Sequence, residues 1–323
     1  MFEKLFAFLE RHQSFILTTH DPADADGLGA EIVFACVLQR MGKQFRIINA
    51  GPIPETFEFM DPARIVEQWD EAKHGALPER SALVMLDTAD EYLIGGIKGI
   101  TGRVKEVFVI DHHEPNPHAV LPGIIDRAAS TCELLVEIAE AAGAELNEEC
   151  ASAAYAGIVY DTGFFAYSKT SIRTFRAALK LVSLGVAPYR IYQELNENAS
   201  IAALLLQKKA LSGMTIHNYG KVAAQVLRKE DLEATGARFE DAETFVNVPL
   251  KAREIAVSVL VKEMPDGNVR CSLRSKGWVN VSQIARDFGG GGHVSAAGFR
   301  SSLGVEETLK QVLTKTAEYV NRA

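Results

Sequence analysis

The first half of the chain alternates short apolar runs with longer segments of helical periodicity. Apolar runs without polar alternation predict strands that are buried on both faces and pair in parallel. Such strands are predicted at residues 14–19, 45–49, 83–87 and 107–111. Helical patterns lie at residues 1–11, 27–41, 130–142, 151–160 and 171–184. This order predicts an α/β domain with a mostly parallel sheet flanked by helices.

The pattern changes after residue 184. Gly185 and Pro188 end the preceding helix, and a polar stretch follows them. The next predicted elements are a helix at 201–211 and strands at 255–263 and 269–274, joined by the turn Pro265-Asp266-Gly267. We therefore expect a first domain at 1–190, a linking helical region at 191–205 and a smaller mixed α/β domain at 206–323.

Charge and composition limit the kinds of partner that this protein can bind. With 34 basic and 42 acidic residues among 323, the net charge is −8, which argues against a surface for long nucleic acids and favours a small substrate or bound cations. Charged residues interrupt the first helix, and no apolar run is long enough for a membrane span. We expect a soluble cytoplasmic protein with no membrane partner. The four cysteines form no Cys-x-x-Cys pair, which predicts reduced thiols and no structural zinc.

Acidic and histidine residues follow the predicted strands of the first domain. In doubly wound sheets, ligands bind at the carboxyl ends of the strands. Any one of these residues could simply cap a helix or form a turn. Their recurrence at four element ends favours a cation site, because clustered carboxylates repel one another and because carboxylate with imidazole suits manganese. The residues are His20, Asp24, Asp26, Asp87, Asp111, His112, His113 and Asp161.

The segment Asp161-Thr162-Gly163 also occurs, after an apolar run, in aspartic proteases. Those enzymes need a second copy of the motif in an all-β chain. Here the flanking segments are helical, and Asp87-Thr88-Ala89 is a poor second copy. We reject the protease interpretation.

Taken in order, these segments resemble the DHH phosphoesterase family, named for the triplet seen here as Asp111-His112-His113. The glycine-rich segment 289–293 and the following Ala296-Ala297-Gly298 resemble its DHH-associated domain. The resemblance covers nearly the whole chain and is closest to the nanoRNase and pAp-phosphatase branch. It implies two divalent metal ions, manganese with magnesium as the alternative.

The resemblance also implies the role of each residue in the first domain. One metal ion would be held by His20, Asp24 and Asp87. The other would be held by Asp26, Asp87, His112 and Asp161, so that Asp87 bridges the two ions. Asp111 would orient an imidazole, and His113 would position the phosphate or protonate the leaving oxygen.

In the second domain the resemblance implies a site for the substrate's phosphate and sugar. Its members here are Arg274, Ser275, Gly290, Gly291, Gly292 and His293. Arginine offers a two-pronged grip on phosphate, and glycine amides can approach it closely, although four glycines also suit a plain flexible loop. Lys276 is expected to be solvated. Four other histidines are expected to be ordinary surface or loop residues: His12, His74, His118 and His217.

The implied function is hydrolysis of very short oligoribonucleotides to nucleoside 5′-monophosphates, with removal of the 3′-phosphate from 3′-phosphoadenosine 5′-phosphate. A site that clamps one terminal nucleotide would exclude long duplexes. Cleavage of linear or cyclic dinucleotides is the main alternative, and an inorganic pyrophosphatase fits the second domain less well. A nucleic-acid-binding regulator with an inactive site is a different class, which the intact ligand set disfavours. A homodimer is compatible with the sequence.

Overall fold

The structure is a computed structural model that describes residues 2–113, 121–264 and 266–322. The chain divides into two compact units, Met1–Asn198 and Ala199–Ala323. The division falls within the segment expected to link two domains. Across the described part of the chain, none of the helices combines the length and apolar character that crossing a bilayer requires.

The first unit is built on a sheet of six parallel strands. The strands are β1 (Ser14–Thr18), β2 (Gln44–Asn49), β3 (Val66–Gln68), β4 (Ala82–Leu86), β5 (Val107–Asp111) and β6 (Gly123–Ile125). Their order across the sheet is β3-β2-β1-β4-β5-β6. The chain order therefore reverses between β1 and β4, which is the place where doubly wound sheets bind ligands. The predicted parallel α/β architecture is confirmed.

Helices cover this sheet. They are α1 (Glu3–Arg11), α2 (Ala25–Arg40), α3 (Glu71–His74), α4 (Thr131–Ala141), α5 (Glu148–Asp161), α6 (Ile172–Ser183) and α7 (Pro188–Asn196). Successive residues of β1 enter opposite cores: Phe15 and Leu17 pack with α1, α2, α4 and α5, whereas Ile16 packs with Ile97 and Ile100. The sheet is thus buried on both faces, as its apolar strands predict.

The cysteines differ from the expectation. Cys36 of α2 and Cys150 of α5 form a disulfide, so the prediction of four reduced thiols is wrong for this pair. The reason is that α2 and α5 pack side by side, which brings two residues 114 positions apart in the sequence together. Cys132 and Cys271 are free and buried.

The prediction that His74 is an ordinary surface or loop residue is also wrong. Its side chain is fully buried against Trp69, and its Nδ1 accepts a hydrogen bond from the amide of Asp70. His12 is part-buried and lies 2.7 Å from Glu106. His118 lies outside the described residues.

The second unit contains a mixed sheet of six strands. Its elements are α8 (Ile201–Ser212), β7 (Thr215–His217), β8 (Val222–Leu227), α9 (Lys229–Thr235), β9 (Val257–Glu263), β10 (Val269–Ser275), α10 (Val281–Arg286), β11 (Gly291–Gly292), β12 (Ala296–Ser301) and α11 (Val305–Arg322). The order is β11-β12-β10-β9-β8-β7, with β8 and β9 parallel and the other pairs antiparallel. Pro265 of the expected β9–β10 turn lies outside the described residues, and Gly267 adopts a positive φ of 81° there.

Candidate metal centre

Three neighbouring parallel strands deliver polar side chains to one edge of the first sheet. Asp87 directly follows β4, His112 directly follows β5, and His20 lies two residues beyond β1. Asp87 has a positive φ of 60°, a conformation that costs a non-glycine residue energy and recurs at functional sites. The point where the strand order reverses therefore carries the predicted cluster.

Two helix ends complete the cluster. Asp24 caps α2, since its Oδ1 accepts hydrogen bonds from the amides of Asp26 and Gly27 at 2.9 and 3.1 Å. The same oxygen lies 3.6 Å from His20 Nε2, so Asp24 is both a helix cap and a member of the cluster. Asp161 enters from the last residue of α5.

The six predicted ligand residues come together in two groups. One group is His20, Asp24 and Asp87, and another is Asp26, His112 and Asp161; within each, the candidate ligand atoms lie within 4.8 Å of one another. Asp87 connects them. Its Oδ2 lies 3.5 Å from His20 Nε2, and its Oδ1 lies 3.5 Å from His112 Nε2.

His112 provides a test of whether the cluster suits a cation. Its Nδ1 is held by the carbonyl of Ala128 at 3.2 Å. Its buried Nε2 lies 3.1 Å from Asp161 Oδ2 and 3.8 Å from Asp26 Oδ2, yet it makes no hydrogen bond of acceptable geometry with any described residue. A buried nitrogen that converges with carboxylate oxygens in this way fits a divalent cation.

The electrostatics of the cluster favour the same interpretation. Burial, together with the carboxylates of Asp87 and Asp161, raises the pKa of Asp26 well above its ordinary value. Burial would lower the pKa of His20, but the neighbouring carboxylates of Asp24 and Asp87 outweigh it and raise that pKa to about 11. A bound cation would offset the repulsion among these carboxylates.

The amino terminus of α4 holds two of the carboxylates. The amide of Thr131 donates to Asp26 Oδ2 at 2.7 Å, and the amide of Cys132 donates to Oδ1 at 2.9 Å. The hydroxyl of Thr131 donates to Asp87 Oδ1 at 2.8 Å, while Ser130 caps the helix through the amide of Glu133. The structure shows that each hydroxyl has a separate partner.

A glycine allows this close approach of the helices. A Cβ atom at Gly157 of α5 would lie 2.4 Å from Cys132 Sγ and 2.9 Å from Asp26 Oδ1. No side chain fits there without a shift of one of these groups. The role of Gly157 was not apparent from the sequence, because it depends on the packing of three helices.

Two further contacts surround the cluster. The Oδ1 atom of Asp111 accepts a hydrogen bond from the amide of His113 at 3.1 Å. The same oxygen lies 2.7 Å from Nδ1 of the His113 ring. Asp111 thus orients an imidazole, and that imidazole belongs to His113. Lys169, which the sequence did not single out, donates to Asp161 Oδ2. Burial opposes ionisation of Asp161, but His112 and Lys169 outweigh it and lower its pKa to about 2.

In the second unit, the residues expected to bind substrate lie around the end of β10 and the start of β12. Arg274 is the residue before the last one of β10 and pairs with Ala296 of β12. Ser275 is buried, and its hydroxyl donates to the carbonyl of Val279 at 2.6 Å, so it stabilises the turn after β10. Lys276 is exposed but not merely solvated, because its Nζ donates to the carbonyls of Ala252 and Arg253.

The glycine segment is more ordered than a flexible loop. The amides of Gly289 and Gly290 donate to the carbonyls of Arg286 and Ala285, so the Gly290 amide, expected to approach a phosphate, is paired within its own unit. Gly291 and Gly292 form β11 and pair with β12. A Cβ atom at Gly290 would lie 2.2 Å from the carbonyl oxygen of Gly298. Close backbone packing therefore requires glycine at that position. His293 is exposed at the following turn.

Comparison with known proteins decides the family. Residues 14–158 match the model of the DHH family N-terminal domain, and residues 219–322 match the DHHA1 domain. The chain belongs to the DHH family. The bifunctional oligoribonuclease and PAP phosphatase NrnA of Thermus thermophilus is 29% identical over 314 residues, which cover 95% of this chain and 90% of that protein.

One further relative and one solved structure are also similar to this chain. The cyclic-di-AMP phosphodiesterase PdeA of Listeria monocytogenes is 29% identical over 250 residues, which cover 75% of this DHH chain and 37% of PdeA. The crystal structure of an exopolyphosphatase-related protein from Bacteroides fragilis is similar with a TM-score of 0.91 at 25% identity, over 98% of this chain and 95% of that one. The similarity thus extends through both units.

Proposed function

We propose that this chain is a metal-dependent phosphoesterase that degrades very short oligoribonucleotides to nucleoside 5′-monophosphates. It would also remove the 3′-phosphate from 3′-phosphoadenosine 5′-phosphate to give AMP. The observation that carries the proposal is Asp87, whose two oxygens face two separate groups of carboxylate and imidazole ligands. The Thermus relative, named for both activities, supports the choice of substrates.

Two divalent cations are part of this proposal. His20, Asp24 and Asp87 would hold one of them. The other would be held by Asp26, Asp87, His112 and Asp161. Manganese is proposed rather than magnesium because each set includes an imidazole, a ligand that magnesium seldom takes. When bound, the pair of cations would supply an activated water and neutralise charge on the phosphoryl oxygens.

His113 is the proposed proton donor to the leaving oxygen. Asp111, itself almost fully buried, holds the ring through Nδ1, so that the chemistry at the substrate would use Nε2. Its Nδ1 also lies 3.7 Å from Asp87 Oδ1, which places the ring beside the bridging carboxylate. Asp111 would therefore be a positioning residue, and His113 would contact the phosphate.

Arg274 and His293 are the proposed contacts to the substrate's phosphate and sugar in the DHHA1 domain. Both follow from the resemblance to the family, and both lie at the same end of the strands, since Arg274 pairs with Ala296 at the end of the His293 turn. Ser275 and Gly290 would act indirectly, by shaping the turn after β10 and the packing against β12. Gly291 and Gly292 would bring backbone close to the substrate.

A second candidate is the hydrolysis of linear or cyclic dinucleotides. The similarity to the Listeria cyclic-di-AMP phosphodiesterase over 75% of this chain favours it. The same ligand groups would serve this reaction, because it also breaks a phosphate ester. The two candidates therefore differ in substrate and share the site.

Product analysis with manganese separates these candidates. The substrates would be RNA dinucleotides, a longer RNA, 3′-phosphoadenosine 5′-phosphate, cyclic di-AMP and pyrophosphate. We expect mononucleotides from the dinucleotides, AMP and phosphate from the bisphosphate, and little product from the longer RNA. Product from linear or cyclic dinucleotides, with none from the bisphosphate, would favour the second candidate. No product from any of them would contradict an enzyme and favour a binding protein.

A further inference from the structure

Trp278 is a large apolar side chain that the second unit leaves exposed. It lies in the turn between β10 and α10, and 49% of its surface is accessible to water. A single exposed apolar residue is common on protein surfaces and needs no explanation by itself. The order of its turn and the charges around its ring distinguish Trp278 from such residues.

Hydrogen bonds fix the turn that carries Trp278. The buried hydroxyl of Ser275 donates to the carbonyl of Val279 at 2.6 Å and accepts a hydrogen bond from the amide of Gly277 at 3.3 Å. Gly277 has a positive φ of 99°, which glycine adopts without steric cost. Nζ of Lys276 donates to two backbone carbonyls ahead of β9. A ligand that packs on a ring in an ordered turn loses less affinity to conformational entropy than one that must order a mobile loop.

A cation lies over the ring, on the side of the sheet that carries Arg274. Nζ of Lys221 is 6.0 Å from the centroid of the Trp278 indole. Ala223, Ser258 and Arg274 are paired neighbours across β8, β9 and β10, so their side chains leave the same face of the sheet. Lys221 precedes Ala223 by two residues and is therefore on that face as well. The ring thus lies beside the residue proposed to contact phosphate.

The turn of Trp278 is bonded to the turn of His293. The amide of Val281 donates to the carbonyl of Val294 at 2.9 Å, and the amide of Ser275 donates to the carbonyl of Ser295, also at 2.9 Å. These two bonds place the segments side by side at one end of the strands. The proposed contacts to phosphate and sugar therefore have an exposed indole next to them.

The chain around Trp278 is basic, although the protein as a whole is acidic. Residues 267–305 contain one acidic residue, Asp287, whereas the complete chain has a net charge of −8. The same segment contains five basic residues: Arg270, Arg274, Lys276, Arg286 and Arg300. Positive charge next to an exposed aromatic ring is the combination that binds single-stranded nucleic acid, because phosphates meet the cations and bases stack on the ring.

We propose that Trp278 is the platform on which the base of the bound nucleotide stacks, next to the phosphate contact at Arg274. This inference rests on the proposed function and adds to it the part of the site that recognises a base. Because every base has a π-face, the contact would favour nucleotides over other phosphate esters without selecting one base. A sugar phosphate would gain nothing from it.

Binding of AMP and of ribose 5-phosphate to the full chain with manganese tests the proposal without a catalytic step. The chain has two tryptophans, so Trp69→Phe, which keeps a ring against His74, leaves Trp278 as the single source of indole fluorescence. We expect AMP to quench this fluorescence and ribose 5-phosphate to leave it nearly unchanged. In calorimetry, Trp278→Ala should weaken the binding of AMP about tenfold and leave the binding of ribose 5-phosphate unchanged.

Two variants separate stacking from other effects of the substitution. Trp278→Phe keeps an aromatic face and should retain most of the affinity for AMP. Leu303→Ala removes an exposed apolar side chain just beyond β12, at the other end of the strands, and should bind both ligands as the wild type does.

Several results would overturn the proposal. Equal losses for AMP and ribose 5-phosphate in Trp278→Ala would show that the ring supports the phosphate contact and not the base. Unquenched fluorescence in the presence of bound AMP would place the base elsewhere, and a wild type that binds no AMP would leave the platform without a ligand.

The stacking proposal and the proposed function can fail separately. Wild-type turnover of dinucleotides with an unchanged KM in Trp278→Ala would contradict stacking and leave the phosphoesterase function intact. A wild type that binds AMP as expected but turns over no substrate would contradict the function alone, because the binding measurements need no turnover.

Discussion

The two units place their functional residues in very different surroundings. In the first, Asp26, Asp87 and His112 are buried, and each is hydrogen-bonded to a residue that lies at least 16 positions away in the sequence. In the second, Arg274 is part-buried and His293 is exposed, and both lie at one end of the strands of the sheet. Burial of several carboxylates is costly unless cations offset their charge, whereas a part-buried arginine that keeps contact with water costs less.

This difference indicates a division of tasks. A buried cluster supported from three helices tolerates almost no change, since the loss of one member leaves the others uncompensated. The more exposed site of the second unit can lose one contact to the substrate and keep the others. We therefore expect abrupt effects on turnover in the first unit and graded effects on substrate binding in the second.

The largest loss of turnover is expected for Asp87→Asn. The amide keeps the shape but removes the charge that both ligand groups share, so turnover should fall by about 10³-fold or more. Steady-state kinetics with manganese would measure it. Asp90→Asn changes a nearby acid of the same loop, which bonds the amide of Tyr92, and should stay near wild type. A mild effect at Asp87 would remove the contrast between the units.

The second-largest effect is expected for Gly157→Ala, on both stability and turnover. The added methyl would meet Cys132 Sγ and Asp26 Oδ1 at 2.4 and 2.9 Å, so α4 and α5 must move apart. We predict a loss of about 1–3 kcal/mol in the free energy of unfolding together with reduced turnover. Thermal and urea unfolding would measure the first quantity. Gly99→Ala, where an added methyl has no neighbour within 4 Å, serves as the control.

Thr131→Val should give a smaller, more specific effect. It removes the hydroxyl that donates to Asp87 Oδ1 but keeps the backbone amide that donates to Asp26. The manganese concentration for half-maximal activity should rise about 10- to 100-fold, the usual cost of losing a group that orients a ligand. Thr131→Ser should restore it. Equal loss in both variants would show that Thr131 acts through packing.

Arg274→Ala should give the smallest effect and the clearest contrast with Asp87. Loss of one charged contact to phosphate should raise KM on the order of tenfold while kcat changes little. Arg270→Ala, four residues earlier on β10, contacts Glu243 and should leave KM unchanged. If Arg274→Ala lowered kcat instead, this residue would belong to the chemistry and not to substrate binding.

Much of this arrangement followed from local sequence patterns. Apolar runs predicted β1, β2, β4 and β5, because a parallel sheet buries its strands on both faces. Shorter elements such as β3, β6, β7 and β11 were not predicted, since two or three residues carry no periodicity. The convergence of the ligand residues followed from one rule, that the carboxyl ends of parallel strands meet at one edge.

What the sequence did not indicate depends on contacts between distant elements. Thr131, Gly157 and Lys169 are ordinary residues until α4, α5 and the segment after α5 are placed around Asp26 and Asp161. The same holds for the disulfide between Cys36 and Cys150, and for His74, whose burial comes from Trp69. In the second unit, the glycines were interpreted as a phosphate loop, whereas Gly290 is needed for packing against β12.

The number of manganese ions bound per chain tests the central claim most directly. After equilibrium dialysis of the full chain against manganese, metal analysis should give two ions per chain for the wild type and fewer for Asp87→Asn. Binding of a single ion by the wild type, with no loss in the variant, would contradict a bridging carboxylate between two cations.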